Sequence, residues 1–193
     1  MLKGIFFLIS EKSNMNLEKL FGSKTKVDIL KYLIFRRQWV SMRALETELW
    51  WTFPAIKKQV DSLDDAWIIV IDKESTWWSI HLKWGVETIF KELFFEALRQ
   101  SLTELFEKSG DWIGNYFWWD KFWKEIGMDL IIIHNNMDKT TIENLKNDIS
   151  ECFRDYWIES ASVVFMSADE WWTRYRLADR FVLQVMRYYN NIK

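Results

Sequence analysis

Pro54, Lys57, Lys58 and Gln59 stand close together, just after Thr52. Two adjacent ammonium groups suit a polyanion, and the Gln59 amide both donates and accepts. On the first turns of a helix, such a set matches phosphate oxygens and base edges. Lysine pairs with guanine and glutamine with adenine. Contacts to phosphate fix position, while contacts to bases carry specificity. Lys58 and Gln59 are therefore the expected base readers, and Arg43 and Lys73 the expected backbone holders.

Metal and acid–base chemistry has weaker support. Two carboxylates at i and i+2 on a strand share a face and can hold magnesium against a triphosphate. Asp129 begins such a stretch, but its i−2 and i+2 neighbours are Gly127 and Ile131. Asp129 is therefore expected to be a strand-end residue, with a vestigial metal or phosphate role as the alternative. Asp120 and Glu159 are further carboxylates that a residual site would draw on. The single cysteine, Cys152, and the two histidines, His81 and His134, form no zinc-type cluster. No catalytic residue, metal or cofactor is expected.

The elements that position the basic cluster can be read from periodicity. Ser23 is an N-cap for a helix in which Val27, Leu30, Leu33 and Ile34 recur at helical spacing through Phe35. Ser41 caps a short helix from Met42 to Leu49. Thr52 caps a third, from Phe53 to about Ala66, which buries Ile56, Val60 and Leu63 and tolerates Pro54 in its first turn. On this helix Asp61, Asp64 and Asp65 are expected to point away from phosphate. Ile68–Ile71 and Trp78–Leu82 read as two strands around a hairpin tip. Three helices with a short turn before the third, then a hairpin, is the order of a winged helix-turn-helix. A small helical domain with a hairpin and no DNA role is the competing reading.

The stretch from Leu20 to Leu30, LFGSKTKVDIL, with Ala55 to Leu63 and Ala66 to Ile69, resembles small bacterial winged-helix regulators of the ArsR-like type. The resemblance covers residues 17–84. It implies glycine at position 67, between the recognition helix and the wing.

Val86 to Lys108 reads as one long amphipathic helix, with Ile89, Leu93, Phe94, Ala97, Leu98, Leu102, Leu105 and Phe106 as its stripe. It links two modules or pairs with its copy in a dimer. Strands follow at Trp112–Trp118, Met128–His134 and Ile158–Met166. A helix from Asp138 to Tyr156 precedes the last strand, and further helices open at Ser167 or Asp169. This order resembles the nucleotidyltransferase fold, with Trp119-Asp120 at the family's Gly-Ser position and Asp129 at its paired-Asp position. With one of the pair missing, the resemblance implies a degenerate, non-catalytic relative, as follows the winged helix in the regulators named above.

The fold expected is therefore α+β. Residues 1–16 are a disordered arm or an overcalled start, with Met15 as a second start. Residues 17–84 form the winged helix, 85–109 the connecting helix, and 110–193 a small α/β nucleotidyltransferase-like domain.

Tryptophan usage is anomalous. The 193 residues hold 14 Trp and only 6 Gly, where average usage of about 7% gives roughly 13 to 14 glycines. Trp39, Trp50, Trp67, Trp77, Trp119 and Trp123 fall at expected caps, turns and loops, and Trp157 is a further candidate. Trp39 is expected to be a left-handed cap. Some bacterial lineages read UGA as glycine, whereas a common alternative code reads it as tryptophan. These positions fit glycine codons rendered as tryptophan. Trp51, Trp78, Trp118, Trp171 and Trp172 lie inside apolar or aromatic patterns and read as genuine. Trp84 and Trp112 fit neither group.

Net charge is −2, divided as +3 over residues 1–84 and −5 over the remainder. The first part thus suits a polyanion better. The apolar run from Gly4 to Ile9 is far shorter than the about 20 residues of a membrane span. A lone cysteine fits a reducing cytoplasm. The expectation is a cytoplasmic, sequence-specific transcriptional regulator that binds double-stranded DNA as a homodimer. The rivals are a nucleotidyltransferase of the toxin–antitoxin-associated type and a protein-interaction module.

Overall fold

The computed structural model describes residues 15–73, 78–118, 130–159 and 161–191. Most of the arm expected over 1–16 lies outside them. A short helix not expected from the sequence, α1 (Leu17–Phe21), is capped by Asn16, whose Oδ1 accepts from Lys19 N at 2.8 Å. It ends at Gly22. Helix α2 (Lys24–Phe35) starts on Ser23, whose hydroxyl accepts from Lys26 N at 3.4 Å. Helix α3 (Met42–Leu49) starts on Ser41, whose hydroxyl accepts from Ala44 N at 3.2 Å. Helix α4 (Phe53–Asp65) follows after a short turn.

Helix α2 packs against α1, α3 and α4, and so buries Val27, Ile29, Leu30, Tyr32, Leu33 and Ile34 on nearly every side. Helix α4 buries only the stripe Ile56, Val60 and Leu63 and leaves its opposite face free. Strands β1 (Ile69–Asp72) and β2 (Ser79–Leu82) pair antiparallel, Ile69 opposite Leu82 and Asp72 opposite Ser79. The α2–α3 connection adds a third edge. Val40 and Ile80 exchange backbone hydrogen bonds of 3.1 and 2.7 Å.

Helix α5 (Val86–Lys108) has the bounds its periodicity predicts. Phe94, Ala97, Leu98, Leu102 and Phe106 are buried, but Ile89, expected on the same stripe, is 65% exposed. It lies on the first turn of the helix. A single 3-10 turn (Gly110–Trp112) leads into β3 (Ile113–Trp118). Then come β4 (Leu130–His134), α6 (Lys139–Arg154), β5 (Val163–Ser167), α7 (Ala168–Arg176) and α8 (Arg180–Asn191). The sheet order is β3-β4-β5, with β3 antiparallel to β4 and β5 parallel to it through the α6 crossover. A parallel pair needs such a crossover, since no tight turn can join its ends.

Strand β4 is buried along its whole length because both faces are covered. Side chains alternate across the sheet. Leu130 and Ile132 join the main core with α5 and α6, while Ile131 and Ile133 pack with Trp171, Val182 and Val185 of α7 and α8. The fold is thus α+β. The main core runs without interruption from α1–α4 into α5, α6 and β4. Phe35 meets Phe95 and Tyr156 edge-on, at 5.1 and 5.7 Å between ring centroids. Lys31 places its ammonium 4.0 Å from the Tyr156 ring centroid. Burial there lowers the Lys31 pKa and pushes the Tyr156 phenol up to about 12.

Among the described residues, left-handed backbone occurs at Trp50 (φ 56°), Trp67 (φ 60°), Asn136 (φ 50°), Trp157 (φ 61°) and Ala178 (φ 54°), besides Gly22, Gly85 and Gly110. This region costs an L-residue about 1–2 kcal/mol. At Trp67 the cap is a complete Schellman motif. Trp67 N donates to Asp64 O at 2.8 Å, and Ile68 N donates to Leu63 O at 3.0 Å. The same pair of bonds closes α6 around Trp157: Trp157 N to Arg154 O at 2.9 Å and Ile158 N to Phe153 O at 3.0 Å. Trp39 does not have the left-handed conformation expected of it. Its indole lies against the His81 ring instead, tilted by 37° with centroids 4.0 Å apart, beside the Val40 bridge to β2. Trp77, Trp119 and Trp123 lie outside the described residues.

Candidate nucleic-acid interface

The exposed face of α4 follows from its buried one. With Ile56, Val60 and Leu63 inward, the helical period turns Pro54, Lys57, Lys58, Asp61 and Asp65 outward. Together with Ser62 they line an open depression of about 460 Å³. Lys58 stands near the middle of this face. Gln59 sits at its flank, half-buried and less open to solvent than Lys58.

The aspartates do not all turn away from the lysines. Lys57 Nζ contacts Asp61 Oδ2 at 2.6 Å, because residues four apart on a helix are surface neighbours. The depression therefore carries both signs of charge. Lys26, from α2, also reaches it. Lys26 Nζ donates at 3.0 Å to the hydroxyl of Ser62, one of the residues that line it. No local pattern announces this residue, since the link exists only once α2 packs on α4.

Thr52 occupies the N-cap position of α4, but its side chain makes no capping hydrogen bond. Pro54 lacks an N–H, which removes one of the two donors a cap hydroxyl normally serves. Glu46 supplies the cap from α3, accepting from Phe53 N at 3.1 Å through Oε1. Trp51 fixes the same turn from the other side, its indole N–H donating to Asp28 Oδ2 at 3.0 Å. The N-terminal end of α4 is thus held at two points and presents Thr52, Phe53, Pro54, Lys57 and Lys58 to solvent.

Arg43 on α3 is exposed. Lys73 is exposed at the end of β1, with its ammonium 5.3 Å from the Trp78 ring centroid. Lys83 covers the Trp67 ring at 3.7 Å. The hairpin tip, residues 74–77, lies outside the described residues.

The second candidate site falls mostly outside them too, since Asp120 and Asp129 are not among the described residues. Glu159, expected in the last strand, precedes β5 and pairs with Arg36 at the end of α2. Among the described residues, no group of three or more His, Cys, Asp or Glu is placed to hold a metal ion. His134 is buried in β4, where its Nδ1 accepts from Met137 N at 3.3 Å, and burial lowers its pKa. Among the described residues, no helix is long and apolar enough to cross a membrane. No family model, no curated protein and no solved structure matches this chain.

Proposed function

We propose that this chain is a cytoplasmic, sequence-specific DNA-binding transcriptional regulator that acts as a homodimer. The observation that carries the reading is the exposed Lys57–Lys58 pair on the first turns of α4, where α4 follows α3 through a short turn and leads into an antiparallel hairpin. In a helix-turn-helix, the N-terminal residues of the second helix enter the major groove. Lys57 and Lys58 approach phosphate or guanine, Pro54 and Thr52 border the backbone, and Gln59 reads from the flank. Arg43 on α3 and Lys73 on the wing contact phosphates. The Lys57–Asp61 pair does not bar this role, because an exposed ion pair contributes little and yields to a phosphate.

The C-terminal part is read as a catalytically silent, nucleotidyltransferase-like unit behind an ArsR-like winged helix. Its β3-β4-β5 order, with a parallel pair joined through α6, is compatible with that reading. Ile89, 65% exposed on the first turn of α5, offers an apolar contact for a second copy.

The test is selection of duplex fragments from the source genome at low salt, followed by salt titration of the selected duplex. Binding that weakens steeply with salt, and a slope flattened by Lys57→Ala with Lys58→Ala, supports the reading. Each phosphate that the protein no longer neutralises takes about 0.9 from the slope. A folded protein that selects no duplex refutes it.

A further inference from the structure

We propose that positions 50, 67 and 157 are glycines in the protein as its own cell makes it, each specified by a UGA codon that is glycine there and tryptophan in another code. Three of the five non-glycine residues with left-handed backbone among the described residues are tryptophan. For a bulky side chain that conformation is a genuine outlier, and it is the conformation in which glycine is the default occupant. Of the other two, asparagine at 136 is a frequent left-handed residue, and alanine at 178 closes α7 with the same Schellman pair of bonds but carries only a Cβ, without the bulk of an indole.

All three tryptophans also stand at helix C-termini. Trp50 is the cap residue of α3, and Trp67 and Trp157 occupy the glycine position of Schellman motifs at the ends of α4 and α6. The capping bonds at 67 and 157 use backbone atoms alone, so glycine preserves every one of them.

The indoles at 50 and 67 lie largely in solvent, and the contact made by Trp67, Lys83 over its ring at 3.7 Å, is an exposed cation–π pair of the weaker kind. Trp50 is 92% exposed and Trp67 71% exposed. Trp157 is half-buried, resting edge-on against Tyr32 at 5.3 Å, and Tyr32 Oη is buried with no hydrogen-bond partner among the described residues. Glycine at 157 opens space beside that phenol.

Genuine tryptophans in the same chain behave differently. Trp51 uses its N–H on Asp28, and Trp171 is 3% exposed in the core between the sheet and α7–α8. Neither has left-handed backbone. A chain made tryptophan-rich by selection for an aromatic surface gives no reason for the indoles to divide by backbone conformation. A codon read in two ways does.

The division also bears on α4. Positions 50 and 67 are the two turns that flank it, so glycine at both makes each end of that helix a tight turn with no strained side chain. This inference stands apart from the proposed DNA binding and survives its failure.

The decisive measurement is mass spectrometry of the protein isolated from its own cells, with the gene sequenced alongside. Cleavage after Arg43 and Lys57 releases one peptide, Ala44 to Lys57, that carries both position 50 and position 51. The expected peptide has glycine at 50 and tryptophan at 51, with UGA and UGG codons respectively. Peptides across 67 and 157 are expected to carry glycine, and the codon at 171 to be UGG. Tryptophan, or a UGG codon, at any of positions 50, 67 and 157 overturns the proposal.

Discussion

The indole N–H of Trp51 donates to Asp28 Oδ2 at 3.0 Å and so ties the α3–α4 turn to α2. The residue before it, Trp50, is left-handed and almost fully in solvent. Two adjacent tryptophans therefore have opposite effects on the same turn: one anchors it, and the other strains it.

Trp50→Gly is expected to raise stability by about 1–2 kcal/mol, the cost of left-handed backbone in an L-residue, less the extra freedom glycine gives the unfolded chain. Trp51→Phe is expected to lower it by about 1–2 kcal/mol, because a half-buried carboxylate loses its donor. Urea midpoints at constant slope measure both. Substitutions that shift the midpoint in the same direction would contradict this division of labour.

Asp61 competes with DNA for Lys57, on the proposed reading of α4. Asp61→Asn removes the 2.6 Å pair and a negative charge from the depression. Duplex affinity should rise several-fold, because Lys57 then reaches phosphate without giving up a partner, while the salt slope, set by the number of phosphates neutralised, stays the same. Lys58→Ala should weaken binding and flatten the slope by up to about 0.9, the value of one phosphate. If Asp61→Asn leaves affinity unchanged, Asp61 does not compete for Lys57.

Caps and periods are the legible part of this chain. Ser23, Ser41 and Ser167 each announce a helix start and each accepts the expected backbone N–H. Val86–Lys108 needs nothing beyond its apolar repeat. What the sequence does not reveal depends on elements meeting in space. The Val40–Ile80 exchange is a single-residue bridge, too short for any alternation to mark. Glu46 displaces Thr52 as the cap of α4 because α3 lies alongside. Lys26 enters the candidate interface through Ser62, a contact between α2 and α4. Helix α1 is too short for a period, and only Asn16 and Gly22 bracket it. Asp61 differs from all of these. Its pairing with Lys57 is legible in the four-residue spacing alone, and the expectation that the α4 aspartates point away from phosphate takes no account of that pairing.

His134 gives the fold a dependence on acid. Its buried Nδ1 accepts from Met137 N, which holds the neutral ring, and burial lowers its pKa below the ordinary value near 6.5. As pH falls, the unfolded chain takes up the proton first. The contribution is therefore present above about pH 6.5 and is lost progressively as pH falls through that value to the folded-state pKa. Urea unfolding at about pH 7.5 and pH 5.5, compared with a His134→Gln variant, isolates the term. The difference between the two pH values should shrink in the variant. An unchanged difference assigns the acid sensitivity to other groups.

Cys152 should be chemically quiet in the folded protein. It is half-buried on α6, and burial pushes its thiol up to about 11 from an ordinary value near 9. The thiolate is the reactive form, so at mildly alkaline pH its population falls about a hundredfold relative to an ordinary cysteine, before steric shielding adds to the effect. Lys31 opposes the shift, since its charge favours the thiolate. A chromogenic disulfide reagent should therefore label the native chain slowly and the urea-unfolded chain at the rate of a free thiol. The labelling rate should rise along the unfolding curve. Lys31→Met should slow native labelling further, because the favourable charge is gone. Native labelling as fast as unfolded labelling would show that the α2–α6 junction opens readily, and that the continuous core joining the two halves of the chain is not closed in solution.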